Sequence, residues 1–156
     1  MRAGGRPGSI GFTVVEVLIV LAIAGVLGTF GLSRYQDYRE RARVYAAVGD
    51  IGAMSATIQQ YAIDNRVPPD SLGQVGLAGK LDPWGRKYEY FNLVTLKGNG
   101  KARKDKKLNP LNTDFDLYSV GKDGLTSSSL QAKQSRDDVV RARDGKFVGL
   151  ASDFDP

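Results

Sequence analysis

An apolar run near the N-terminus, residues 11–32 (GFTVVEVLIVLAIAGVLGTFGL), constrains this chain more than any other feature. Residues 12–32 reach the ~20 apolar residues that a helix needs to cross a bilayer. One acid, Glu16, lies near the start of the run. A carboxylate in hydrocarbon costs at least ~2.5 kcal/mol, so Glu16 needs compensation and is a functional candidate. The plainer reading is a signal anchor with an acid tolerated near the interface. Gly25, Gly28 and Gly31 recur every third residue. Such a stripe lets helices approach closely in a membrane, and each glycine weakens the helix by about 1 kcal/mol relative to Ala.

The helical pattern continues beyond the apolar run. Val44, Ala47, Val48, Ile51, Met54, Ser55, Ile58, Tyr61 and Ala62 recur at three- and four-residue steps, one face of an amphipathic helix. Asn65 and then Pro68-Pro69 stop it, because proline excludes the preceding residue from the helical region. The pattern therefore predicts a helix from Phe12 to about Asn65, hydrophobic in its first half and amphipathic in its second.

After it, residues 70–85 read as loop with one short turn at Ser71–Val75. Leu81-Asp82-Pro83-Trp84-Gly85 reads as a tight turn that anchors Trp84 in the core. Tyr88, Tyr90 and Leu93 predict a strand whose pattern slips near Asn92. Phe115, Leu117, Tyr118 and Val120 predict another. Val139-Val140 and Phe147-Val148 flank Asp144-Gly145, a two-residue hairpin signal. The expected fold class is α+β: a long N-terminal α-helix packed on a small antiparallel sheet.

The chain has 156 residues, no Cys and no His. That excludes disulfides, thiolate or imidazole metal sites, and Ser-His or Cys-His catalysis. A metal here would be hard and oxygen-liganded. No phosphate-binding loop is present, and no carboxylate pair or Ser-Lys dyad stands out by spacing, so an enzyme is not expected. The net charge is +5. Lys97, Lys101, Arg103, Lys104, Lys106 and Lys107 form a basic run opposed locally by Asp105. It reads either as a solvated loop or as an electrostatic contact with another subunit, an anionic lipid or nucleic acid. Stacking aromatics are missing from it, which argues against nucleic acid as a partner. Asp123 precedes Gly124 just after the second strand, and Asp137-Asp138 opens the next strand 14 residues later. They read as ordinary turn acids, or as carboxylates at a sheet edge that share a calcium ion with backbone carbonyls.

Two sets of motifs resemble a known family. The first is the basic leader with Arg2 and Arg6, Gly11, Phe12, and Glu16 as the fifth residue after the glycine. It resembles the class III signal of type IV prepilins and type II secretion pseudopilins. An ordinary secretory signal would place its cleavage site after the apolar run, not before it. The second set is Leu81-Asp82-Pro83-Trp84-Gly85 with Tyr88, then Asp116-Leu117-Tyr118-Ser119-Val120-Gly121-Lys122-Asp123-Gly124, then Asp137-Asp138-Val139-Val140. These are similar to the major (G-type) pseudopilin of type II secretion systems.

The resemblance implies three parts: a cleaved leader at 1–11, a hydrophobic transmembrane and filament-core helix at 12–33, and a periplasmic pilin-like domain at 34–156. It implies leader cleavage between Gly11 and Phe12, N-methylation of Phe12, and a role for Glu16 in assembly. It implies calcium as a structural cofactor held by Asp123, Asp137 and Asp138, with the Val120 carbonyl as a further donor. Implied partners are the chain itself in a helical filament, other pseudopilins, a prepilin peptidase and the inner-membrane assembly platform, with exported proteins as candidates. The implied function is that of a structural subunit of a periplasmic pseudopilus, built from the bacterial inner membrane, that drives protein export. The alternative is a type IV pilus or minor pilin subunit for adhesion or DNA uptake. The chain departs from the family in its insert around residues 97–112, in its long serine-rich loop before Asp137, and in a C-terminal hairpin from Arg141 to Gly149.

Overall fold

A computed structural model describes residues 11–95 and 102–154, without the side chains of 29–33. Residues 1–10 of the expected 1–11 leader and the basic residues Lys97 and Lys101 thus lie outside the described residues. Helix α1 runs Val14–Asn65. The chain divides into two compact units, Met1–Arg39 and Glu40–Pro156.

In the first unit the apolar side chains of α1 point outward. Phe12 is 87% exposed and Leu21 63%. Gly25 and Gly28 have open space where a Cβ would stand, while Gly31 falls among the side chains that are not described. Among the described residues no helix is long and apolar enough to cross a membrane.

The second unit is built on the amphipathic stretch of α1. Ala47, Ile51, Met54 and Ile58, spaced four, three and four residues apart, are buried, and Val44 and Val48 pack at their margin. They face Tyr88, Phe115, Leu117 and Val139. The sheet is an antiparallel meander of four strands in the order β1-β2-β3-β4: β1 Glu89–Asn92, β2 Phe115–Ser119, β3 Val139–Ala142 and β4 Phe147–Leu150. Glu89 pairs with Tyr118, Ser119 with Val139, and Ala142 with Phe147. Side chains alternate across a strand. Phe115, Leu117 and Val139 therefore join the helix side, whereas Tyr118, Val140 and Ala142 form a second core with Leu111, Val120, Leu130, Ala151 and Phe154. Every residue of β2 and β3 is buried.

The slip expected near Asn92 is where β1 ends. Asn92 is buried, and its side-chain amide donates to the Pro68 carbonyl at 2.8 Å, which ties the strand end to the segment that stops α1. The short turn expected at Ser71–Val75 is a 3-10 turn, Leu72–Val75. The Asp82–Gly85 turn is closed by the Asp82 carboxylate, whose Oδ1 accepts the Trp84 and Arg86 backbone N–H groups at 3.0 and 2.8 Å. Its Oδ2 accepts the Ser119 hydroxyl at 2.5 Å and docks the turn on β2. Trp84 packs at the core margin, with its indole N–H donating to Glu40 Oε1 at 2.9 Å. Trp84→Phe removes that bond and little apolar area, so a loss of about 1 kcal/mol is expected in urea unfolding.

The C-terminal hairpin differs from expectation. Its strands pair as foreseen, but the connection is four residues, Arg143–Lys146, in place of the two-residue turn at Asp144-Gly145. Arg143 and Asp144 both take left-handed backbone angles, with φ of 53° and 54°. Tertiary bonds account for this conformation. The Asp144 N–H donates to Asn112 Oδ1 at 2.9 Å, and its carboxylate accepts the Thr113 N–H at 2.7 Å and hydroxyl at 3.0 Å. Burial opposes ionisation of Asp144, but the Thr113 donors hold its carboxyl below the usual carboxylate range.

Candidate functional sites at the helix start and the acidic loop

Glu16 begins α1 in an arrangement dictated by the local sequence Thr13-Val-Val-Glu16. A helix start leaves its first backbone N–H groups without partners. Here the Thr13 hydroxyl accepts the Glu16 N–H at 3.3 Å, and Glu16 Oε2 accepts the Thr13 N–H at 2.9 Å. The Thr13 hydroxyl also donates to the same Oε2 at 2.9 Å. This is a reciprocal capping box. Its sequence signal is a Thr followed by Glu three residues later. It gives the carboxylate a structural task alongside the assembly role that the resemblance implies. Gly11 and Phe12 precede the helix and are exposed.

The acidic loop connects β2 to β3. Val120 is buried just after β2. Gly121 turns the chain with φ of 64°. Asp123 Oδ1 accepts the Leu125 N–H at 2.7 Å, and the Asp123 N–H donates to Asp137 Oδ2 at 2.9 Å. Asp137 thus lies across the loop from Asp123, as the spacing suggested. Asp138, fully buried, is paired with Arg103. Its Oδ2 meets Arg103 Nη2 at 2.6 Å and accepts the Thr126 hydroxyl at 2.7 Å. Burial pushes the Asp138 carboxyl up to about 6, against the pull of Arg103 and Thr126. Among the described residues no three acids are grouped so as to hold a metal ion.

Arg103 belongs to the basic run, and its position corrects the solvated-loop reading for that part of it. It is 2% exposed, with its guanidinium 4.3 Å from the centroid of the Tyr118 ring. Its backbone N–H donates to buried Asp116 at 2.7 Å, and the second oxygen of Asp116 accepts the Asn112 amide at 2.9 Å. The neighbouring Lys104 N–H donates to the Ser128 carbonyl at 2.7 Å, and its carbonyl accepts the Leu130 N–H at 3.1 Å. The insert is therefore laid along the serine-rich loop. A second arginine closes the other end, with Arg86 donating to the carbonyls of Gly121 and Lys122 at 2.7 and 3.3 Å.

A type II secretion system core protein G of Pseudomonas aeruginosa is 29% identical over 140 residues, 76% of this chain and 87% of the relative. One of Vibrio cholerae is 30% identical over 102 residues, 53% of this chain and 70% of the relative. The chain belongs to the type II secretion core protein G family. This G-type pseudopilin also resembles the type IV major pilin protein PilE1 of Neisseria gonorrhoeae, 32% identical over 87 residues, but that match covers 56% of this chain and 52% of the relative. No family model and no solved structure matches the pseudopilin significantly.

Proposed function

We propose that this chain is a structural subunit of a periplasmic pseudopilus that serves type II secretion. The observation that carries the reading is the outward-facing apolar stretch of α1. Side chains from Phe12 to Leu27, such as Leu18, Ile19 and Val20, stand 47–87% exposed in the single chain. A contiguous apolar surface of this kind marks a membrane or a protein contact. Lipid would cover it before assembly and neighbouring helices afterwards. The single membrane span rests on the sequence of residues 12–32, whose side chains beyond Gly28 reach into the part that is not described.

A prepilin peptidase would cut between Gly11 and Phe12 and methylate the new amine, and an inner-membrane platform would add the subunit to the filament. The Phe12 amine then needs a counter-charge in an apolar setting. Glu16 of an adjacent subunit supplies it, since an ion pair is tolerable in low dielectric only when both partners are present. The exported proteins would be moved by filament growth, with no residue of this chain reacting with them.

Complementation tests the reading. In a strain lacking its own core protein G, this chain should restore exoprotein release, and surface pili without release would favour the pilin alternative. Glu16→Gln isolates the charge, because glutamine preserves the capping box. Membrane insertion should be intact and filament yield reduced at least tenfold, as for Glu16→Val. Normal yield from Glu16→Gln would leave capping as the whole role of the residue.

A further inference from the structure

The family implies a calcium ion in the acidic loop, but the donor set here does not fit one. Calcium takes six to eight oxygens. One oxygen of each of the three acids, and two carbonyls of the loop, already accept from hydrogen-bond donors of the chain itself. Asp138 Oδ2 takes the Arg103 guanidinium and the Thr126 hydroxyl. Asp137 Oδ2 takes the Asp123 N–H, and Asp123 Oδ1 takes the Leu125 N–H. The Gly121 and Lys122 carbonyls take Arg86. A metal bound through Asp138 Oδ2 and those carbonyls would have to displace two guanidinium groups, one of them fully buried.

We propose that Arg103 is the resident cation of this loop. The insert carries a guanidinium to the buried carboxylate, so the globular unit closes without a divalent ion. Several features make Arg103 suited to that task. A buried carboxylate is costly unless a charge faces it and hydrogen bonds complete its shell. The guanidinium supplies that charge at 2.6 Å. Its second nitrogen donates to Thr126 Oγ1, which itself donates to Asp138. Its face rests on Tyr118, where an arginine gains a cation–π attraction that a lysine would make less well. The two atoms of the pair without partners, Arg103 Nε and Asp138 Oδ1, are those that a side-on fork would join. The backbone holds the arm in place on both sides, through Arg103 N–H to Asp116 and through the Lys104 pairing with Ser128 and Leu130. Two departures from the family, the insert and the serine-rich loop, thereby become a single device.

The test uses the full chain in detergent micelles. Thermal melts are recorded with excess calcium chloride and with a chelator, alongside calorimetric titration with calcium chloride alone. The expected result is one melting midpoint in both conditions and no saturable heat. A rise of several degrees with calcium, or saturable binding, would overturn the proposal. Arg103→Ser should lower the midpoint by about 10 °C or more, because it leaves Asp138 buried without its counter-charge. A variant melting with the wild type would equally overturn it. If Arg103→Ser does not fold, the wild-type calcium comparison still decides. Neither arm reads filament assembly, so failure here leaves the pseudopilus reading standing.

Discussion

Asp114→Ala is expected to destabilise the globular unit by about 3–5 kcal/mol, the range for removing one partner of a buried ion pair. Asp114 itself is partly exposed, but the guanidinium it holds is not. Arg141 of β3 is fully buried on the helix side of the sheet, and its two terminal nitrogens meet the two oxygens of Asp114 at 2.7 Å each. A further bond runs from Nη1 to the Phe115 carbonyl at 3.0 Å, and the guanidinium sits 3.9 Å from the Phe115 ring centroid. Removing Asp114 takes away both charge-assisted bonds and leaves a cation inside the core. Arg141→Met should cost less, because the apolar stem is kept and the Asp114 carboxylate can turn to water. Urea unfolding of the three proteins measures both losses. A loss below about 1 kcal/mol for Asp114→Ala would mean that water reaches Arg141 and that the fork contributes no more than a surface pair.

Gly121→Ala is expected to cost about 3 kcal/mol or more, with local opening of the acidic loop. Gly121 has φ of 64°, a conformation that costs an ordinary residue about 1–2 kcal/mol. A Cβ there would stand 2.2 Å from the Asp137 carbonyl oxygen and 2.6 Å from its carbon. Those are backbone atoms, so relief requires β2 and the segment entering β3 to move apart, which is the overpacking penalty. Gly124 provides an internal control. Its φ is also positive, at 72°, but an added Cβ would meet the Arg86 guanidinium at 2.6 Å, and that long side chain can swing aside. Gly124→Ala should therefore be the milder change in denaturant midpoint. Hydrogen exchange should show faster opening at Asp123 and Leu125 for Gly121→Ala. Equal effects of the two substitutions would show that the backbone clash is relieved at no cost.

Much of this fold can be read from periodicity. The stripe from Val44 to Ile58 marks the buried face of α1 because helical geometry leaves few ways to hide it, and the Pro68-Pro69 stop is a matter of sterics. The strands are legible through Tyr88, Phe115, Leu117 and Val139. The buried arginines are not. Arg103 sits among lysines in a run that reads as solvated charge, and its burial depends on Asp138, 35 positions away, and on Tyr118 across the sheet. Local pattern has no access to such a pairing. One hint lies in residue type, since a lone arginine among lysines suits a planar, forked contact better than a solvated point charge. The four-residue hairpin connection was hidden for the same reason, because Asp144-Gly145 favours a two-residue turn locally, and Asn112 and Thr113 override it from another segment. The capping role of Glu16, by contrast, is local and legible in Thr13-x-x-Glu16.

The bond between Arg103 and Asp138 also has a consequence for inheritance. The insert and the acidic loop each carry half of a buried pair, so neither half is neutral alone. A lineage that trimmed the insert while keeping Asp138 would strand an anion in the core. One that kept the insert while losing Asp138 would bury an unanswered cation beside Tyr118. The two segments are expected to be gained and lost together, and chimaeras that exchange both should tolerate the swap better than those that exchange either one.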